Sequence, residues 1–333
     1  MPLNQYYVGK PTVTSAAEPV AIPSAARERE HETKAYIADD GLVNAVNVAL
    51  ILGQPLLLTG EPGTGKTQLA YSVGRELGYD VLKFETKSSS VARDLFYTYD
   101  TLRRFHDAHL GRERESIEYV TYNALGIAIL NTHAGGEYEE WLPTGFDHKG
   151  PRRSIVLLDE IDKAPRDFPN DLLNEIEGMY FKIPELGMVN ERIEARDYLR
   201  PVIFITSNSE KSLPDAFLRR CVYYDIPFPD SKRLADIVIS HLPIGGKQRP
   251  AWLGDALDLF DRLRKPASAL DKKPGTAELL NWITYLRRGL AEGDRLREKD
   301  ELVRSSLSAL FKSKSDQERS EQMVKEWRGE PPR

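Results

Sequence analysis

Cysteine is nearly absent: Cys221 stands alone among 333 residues. No intrachain disulfide can staple this fold, and no multi-cysteine metal site can be built from it. Long apolar runs are also missing. Neither the opening MPLNQYYVGKPTVTSAAEPV nor any later stretch offers about 20 consecutive apolar residues, so no membrane insertion and no secretory signal are expected, and the cytoplasm is the default location. Nor is there an excess of basic charge. With 46 Lys plus Arg against 51 Asp plus Glu the net charge is -5, which makes no general case for a nucleic-acid partner, a local basic stripe aside. What is present is ordinary globular composition, 41% hydrophobic and 29% charged, in a chain long enough for about two domains at roughly 150 residues each.

Residues 1–35 are polar and rich in Pro and Ala before the charged ARERE and HETK, and read as a partly flexible leader. DDGLVNAVNVALILG then has helical spacing up to Gly53, QPLLLTG supplies a short apolar strand into a glycine loop, QLAYSVGRELG is an amphipathic helix, and DVLKFE a second strand. That order is a βαβ unit. An irregular insert covers about 86–153, with helices expected in DTLRRFHDAHL and TYNALGIAILNTH. RRSIVLLDEID reads as a buried strand ending in charge, DFPNDLLNEIEGMYF as a helix, PVIFITSNSE as a further strand, and LPDAFLRRCVYYDIPFPD as a short helix before an extended segment. The expected fold is therefore α/β, a core with a parallel sheet over 36–229. Beyond it only helical periodicity remains, giving a smaller all-helical domain over 230–333 that ends in a charged helix.

The chemistry concentrates at the strand ends. Gly60, Glu61, Pro62, Gly63, Thr64, Gly65, Lys66 and Thr67 match G-x-x-x-x-G-K-T between a strand and a helix, with Gln68 next in the helix. The glycines let backbone amides turn toward phosphate oxygens, and the helix adds its partial positive end. Lys66 can reach the β and γ phosphates, and Thr67 can place its hydroxyl on Mg2+. Asp159 closes the IVLL strand as a second Mg2+ ligand, and Glu160 can polarise the attacking water; Asp162 and Lys163 are weaker candidates that also read as surface residues. Asn208 ends the VIFITSN strand, where an amide can hold water or sense phosphate, or simply cap a loop. Arg219 and Arg220 can complete a phosphate site on a neighbouring subunit or form ordinary surface ion pairs.

With these pieces in order, the chain resembles the AAA+ ATPases, and more narrowly their MoxR-like and dynein-related bacterial branch. GEPGTGKT, IVLLDEID, VIFITSN and FLRRC look like its Walker A, Walker B, sensor 1 and arginine-finger segments, over about Asp39 to Asn281. The resemblance implies a P-loop NTPase core with a parallel sheet followed by a smaller helical lid, an ATP- and Mg2+-dependent ATPase, and a homo-oligomeric ring that is often hexameric. It implies Asn208 as sensor and Arg220, with Arg219 as runner-up, as the finger reaching the next subunit. Chaperone-like remodelling of a protein client is implied as well, often with a von Willebrand factor A domain partner. Ile37, Ala38 and Ile237 are its expected adenine contacts. The usual Arg of the second sensor falls at Thr276, with Lys272 or Lys273 as substitutes, and Tyr180 and Phe181 are channel candidates that can equally pack inward. A nucleotide-controlled scaffold and, further off, a nucleic-acid motor are the alternatives.

Overall fold

The computed structural model describes residues 36–112, 114–188, 190–209, 213–241, 250–265 and 268–329; the leader expected over 1–35 lies outside them. Two compact units result, one of Ala38–Pro227 and one that gathers Tyr36 and Ile37 with the chain from Phe228 onward.

In the first unit, α1 (Asp40–Leu52) starts where the Asp39 carboxylate accepts from the Leu42 amide at 2.8 Å, and stops at Gly53 in the left-handed conformation (φ 63°). Five parallel strands, β1 (Leu56–Thr59), β2 (Asp80–Glu85), β5 (Ser154–Asp159), β8 (Val202–Thr206) and β9 (Val222–Asp225), stand in the spatial order β2-β5-β8-β1-β9. The four residues of β1 and the run Ile155–Leu158 of β5 are all buried, as expected of strands covered on both faces. Each such apolar side chain contributes about 1.5–3 kcal/mol. Strand register sets where the polar termini emerge. Leu58 pairs with Thr206, Leu158 with Ile205, and Glu85 with Asp159, so the carboxyl ends of β1, β5 and β8 lie side by side.

α2 (Lys66–Leu77) begins directly after the glycine loop. The segment between β2 and β5 is more ordered than its irregular sequence suggests. β3 (Tyr97–Tyr99) and β4 (Val120–Tyr122) pair antiparallel around α3 (Thr101–His109), and α4 (Ala124–Leu130) comes next, almost wholly buried. Strands of three residues are too short to show an alternating pattern. The helix expected through Phe181 ends earlier: α5 (Phe168–Gly178) is closed by Met179 at φ 45°, and β6 (Tyr180–Phe181) pairs antiparallel with β7 (Ile193–Glu194). α6 (Asp215–Leu218) leads into β9.

The second unit contains α7 (Ser231–His241), α8 (Ala251–Arg264), α9 (Thr276–Leu286), α10 (Asp300–Ser306) and α11 (Lys314–Arg328). Its core is built from Trp252, Leu259, Phe260, Trp282, Ile283 and Trp327. Buried polar groups there are tied down by their neighbours. The Trp282 indole donates to Ser306 Oγ at 2.8 Å, and Asp255 accepts from Arg295 at 2.8 Å and from the Leu296 amide at 3.0 Å. Asp316 accepts from the amides of Asp271 and Lys272.

Candidate functional site

The loop Gly60–Gly65 connects β1 to α2 at the sheet edge where β5 and β8 also end. Gly60 has φ 136°, and a Cβ there would lie 2.6 Å from the Ile226 carbonyl oxygen just beyond β9. Only glycine fits this turn. Gly65, at φ 90°, leads into the first turn of α2. Thr64 is buried, and its hydroxyl donates to the Glu61 carbonyl at 2.9 Å, pinning the loop.

Lys66 is 7% exposed, and its ammonium donates to the carbonyls of Gly60 at 2.8 Å and Glu61 at 3.1 Å and to Asn208 Oδ1 at 3.1 Å. All three acceptors are neutral. Among the described residues no carboxylate lies within ion-pair distance of it. Burial lowers its pKa below the usual lysine value, against the opposing field of Asp162 and, further out, of Asp159, Asp225 and Glu160. A buried ammonium that meets only carbonyl and amide oxygens is suited to receive an anion such as a phosphate.

Next to it stands a pair of hard oxygen donors. Thr67 Oγ1 donates to Asp159 Oδ1 at 2.9 Å, and Thr206 Oγ1 donates to the same oxygen at 2.6 Å. Burial disfavours the Asp159 carboxylate, but the hydrogen bonds from Thr206, Lys83 and Thr67 outweigh it and hold the pKa below the usual value. A hydroxyl beside an ionised carboxylate is the donor chemistry that Mg2+ takes, alongside phosphate oxygens and water. The residues present therefore fit both a triphosphate and its divalent ion.

Glu160 comes next, with φ 57° and ψ 54°, a left-handed conformation unusual outside glycine, and its amide donates to Thr206 Oγ1 at 2.9 Å. Its side chain is half exposed and paired with Lys163. Asn208 is oriented from behind: its backbone N–H donates to Asp162 Oδ1 at 3.1 Å and its side-chain Nδ2 faces Asp162 Oδ2 at 3.5 Å, which leaves Asn208 Oδ1 facing Lys66. Asp162, a surface residue on one reading of the sequence, thus has a defined place in the site. Two residues that the sequence does not single out join it. Thr206 links Asp159 to the backbone of Glu160, and Lys83 Nζ lies 2.9 Å from Asp159 Oδ2. The only sequence trace of Lys83 is a cation in the apolar strand DVLKFE.

The remaining candidates lie elsewhere. Gln68 is half-buried in the first turn of α2, and Glu61, Pro62 and Gly63 form the crest of the loop. Arg219 and Arg220 are exposed beyond α6, with Arg220 3.3 Å from Glu177 of α5. The Cys221 thiol beside them is pushed up to about 12 by burial. Phe181 does not face a channel: it is buried and stacked on Phe96 at 5.2 Å, because β6 turns it into the core. Tyr180 alternates outward, under the Arg192 guanidinium at 4.7 Å. Ile37 and Ala38 straddle the division between the units, and neither is buried. In the helical unit Ile237 is half-buried in α7, Lys272 and Lys273 are exposed, and Thr276 opens α9 buried, with its hydroxyl unpartnered among the described residues.

Comparison with known proteins bears on the same segment. The family model for the AAA domain, dynein-related subfamily, matches residues 55–221, from the residue before β1 to the residue before β9. Lon protease of Lachnoclostridium phytofermentans is 21% identical over 263 residues, 78% of this chain and 28% of that protein. Lon protease of Brevibacillus choshinensis is 28% identical over 186 residues, 56% of this chain and 19% of its own length. The chain thus spans less than a third of the length of these curated relatives. Among solved structures, a mutant RuvB of Thermotoga maritima aligns with a TM-score of 0.44 and 16% identity, covering 84% of this chain and 72% of that one.

Proposed function

The chain belongs to the dynein-related subfamily of AAA domains, and from that premise we propose that it is an Mg2+-dependent ATPase whose turnover remodels a protein client. The observation that carries this reading is the buried Lys66 ammonium, surrounded by neutral oxygens only, next to the Thr67–Asp159 pair. Lys66 and the loop amides hold the β and γ phosphates. Thr67 and Asp159 hold Mg2+, which when bound offsets phosphate charge. Asn208 positions the attacking water and Glu160 polarises it, taking up its proton as the bond from the water oxygen to the γ phosphorus forms and the bond from that phosphorus to the β–γ bridging oxygen breaks, releasing ADP and phosphate.

In this reading the functional form is a homo-oligomeric ring, hexameric in the family pattern, in which Arg220, or Arg219 beside it, reaches the γ phosphate held by the next copy. Exposure of both arginines supports it. Ile37, Ala38 and Ile237 contact the adenine, and Lys272, Lys273 or Thr276 stands where a second sensor acts. The helical unit serves as the moving lid, and a von Willebrand factor A domain protein fits as partner to the client. These assignments rest on family likeness. Glu160→Gln tests the core of the proposal. ATP turnover is expected to fall by a factor of about 100 or more while nucleotide binding persists; genuine turnover equal to wild type would remove Glu160 from its role.

One observation favours a second reading. The Glu160 carboxylate is paired with Lys163, which suits a nucleotide-controlled scaffold that hydrolyses slowly. Robust client-stimulated turnover would count against it. Lys163→Ala separates the two readings, since releasing Glu160 should raise basal turnover only if that pair restrains it.

A further inference from the structure

β2 is an edge strand of the parallel sheet, and Lys83 sits in its middle, in register with Leu157 of β5. Lys83 and Glu85, two residues apart on a strand, share one face. The Lys83 ammonium lies 2.9 Å from Glu85 Oε1 and 2.9 Å from Asp159 Oδ2. Its two partners differ sharply in surroundings: the Glu85 side chain is 70% exposed and that of Asp159 only 10%. The ammonium thus bridges a solvated carboxylate and a buried one. At Asp159 both oxygens have donors, Oδ1 from the hydroxyls of Thr67 and Thr206 and Oδ2 from Lys83.

We infer that Lys83 is a built-in counter-cation of Asp159, and that it sets the affinity of the site for its divalent ion by competing with it for that carboxylate. Glu85 is the waiting partner that takes the ammonium when the ion arrives. This rests on the reading of Thr67 and Asp159 as the metal-binding pair. Two cations close to one carboxylate repel each other, and the repulsion is poorly screened at a buried oxygen. A lysine with only Asp159 to bind would block the ion, and a site without the lysine would hold the ion too firmly for easy release. With Glu85 in reach the ammonium has somewhere to go. Lys83 therefore acts through Asp159 as a positioning residue and needs no contact with substrate.

The test is Mn2+ binding, measured by electron paramagnetic resonance in the presence of a nonhydrolysable ATP analogue, on the full chain. Lys83→Met, which keeps the length and removes the charge, should bind Mn2+ about tenfold more tightly than wild type. Lys83→Arg should stay close to wild type. Glu85→Gln, which leaves the ammonium with Asp159 alone, should bind Mn2+ several-fold more weakly, within the usual span of such couplings of roughly 5- to 150-fold. Binding of the analogue in EDTA should be similar in all of them, which shows that the pocket is intact. Unchanged or weaker Mn2+ binding by Lys83→Met would overturn the inference and leave the ATPase reading standing. Should Lys83→Met fail to fold, the exposed Glu85→Gln decides alone, and no weakening there overturns the inference. A wild type that binds the analogue but no Mn2+ would instead remove the metal role of Thr67 and Asp159, and the inference with it.

Discussion

Both units of the molecule bury charge and answer most of it from within, in the sheet unit at Asp107 and Asp159, but one buried charge of the sheet unit, Lys66, is treated in the opposite way. In the helical unit the buried carboxylates are answered from within: Asp255 by Arg295 and the Leu296 amide, Asp316 by two backbone amides. In the sheet unit Lys66 is buried against carbonyl and amide oxygens, with no carboxylate in contact among the described residues. Closed polar networks fix a fold. An open one costs stability and is the part of the molecule prepared for something outside it.

The largest effect that could break this contrast is Lys66→Ala. ATP binding should weaken on the order of 100-fold, since charge-assisted hydrogen bonds to phosphate are lost, while the urea midpoint should stay level or rise. A marked loss of stability would show that Lys66 is structural after all. Asp255→Ala should do the reverse. It leaves the Leu296 amide without its acceptor, at a cost of about 2–3 kcal/mol, with nucleotide affinity intact. Three of the four tryptophans, Trp252, Trp282 and Trp327, lie in the core of the helical unit, so fluorescence-detected unfolding reads that loss directly.

A pH series sharpens the same contrast. Burial works against ionisation of Asp258 and Asp316, but hydrogen bonds from Trp327 to Asp258 and from the Asp271 amide to Asp316 lead the effects that hold both below the usual 3.8. Their stabilising contribution is complete above that value and is lost as the pH falls through the lower folded values. Lys66 gives the same slope in an alkaline range, but from a charged form that burdens the fold where the carboxylates support it. Its depressed pKa means that the unfolded chain binds the proton more firmly, so its burden on stability eases as the pH rises toward 10.5. Acid should therefore weaken tryptophan-reported stability, and alkali should weaken phosphate binding first. Thr206→Val should have the smallest effect, about 1 kcal/mol of stability and roughly a tenfold drop in turnover, because Asp159 keeps Thr67 and Lys83.

The glycine loop and its Lys66–Thr67 pair are legible in the sequence because that chemistry depends on neighbours in the chain, as are Asp159 and Glu160, where charge ends an apolar strand. The parallel sheet is legible for a similar reason, as its strands are continuous apolar runs. Lys83 and Thr206 are not, since their meaning comes from strand register: nothing local to DVLKFE says that its lysine will face the end of β5. Of the two roles open to Phe181, channel or inward packing, it takes the second, because the chain turns at Met179 and β6 sets it on the buried side, and helical spacing that continues through it hides that turn. The two short antiparallel pairs carry too few residues for any periodic signal.

Gly60 has one more consequence, in time. The turn it makes is seated against the carbonyl of Ile226, and the strands flanking β1 come from residues 202–206 and 222–225. As the chain leaves the ribosome, the glycine loop emerges early and its supports emerge late. The phosphate site cannot take its final form until more than 160 further residues have been made, so a chain interrupted in between carries the motif without the pocket.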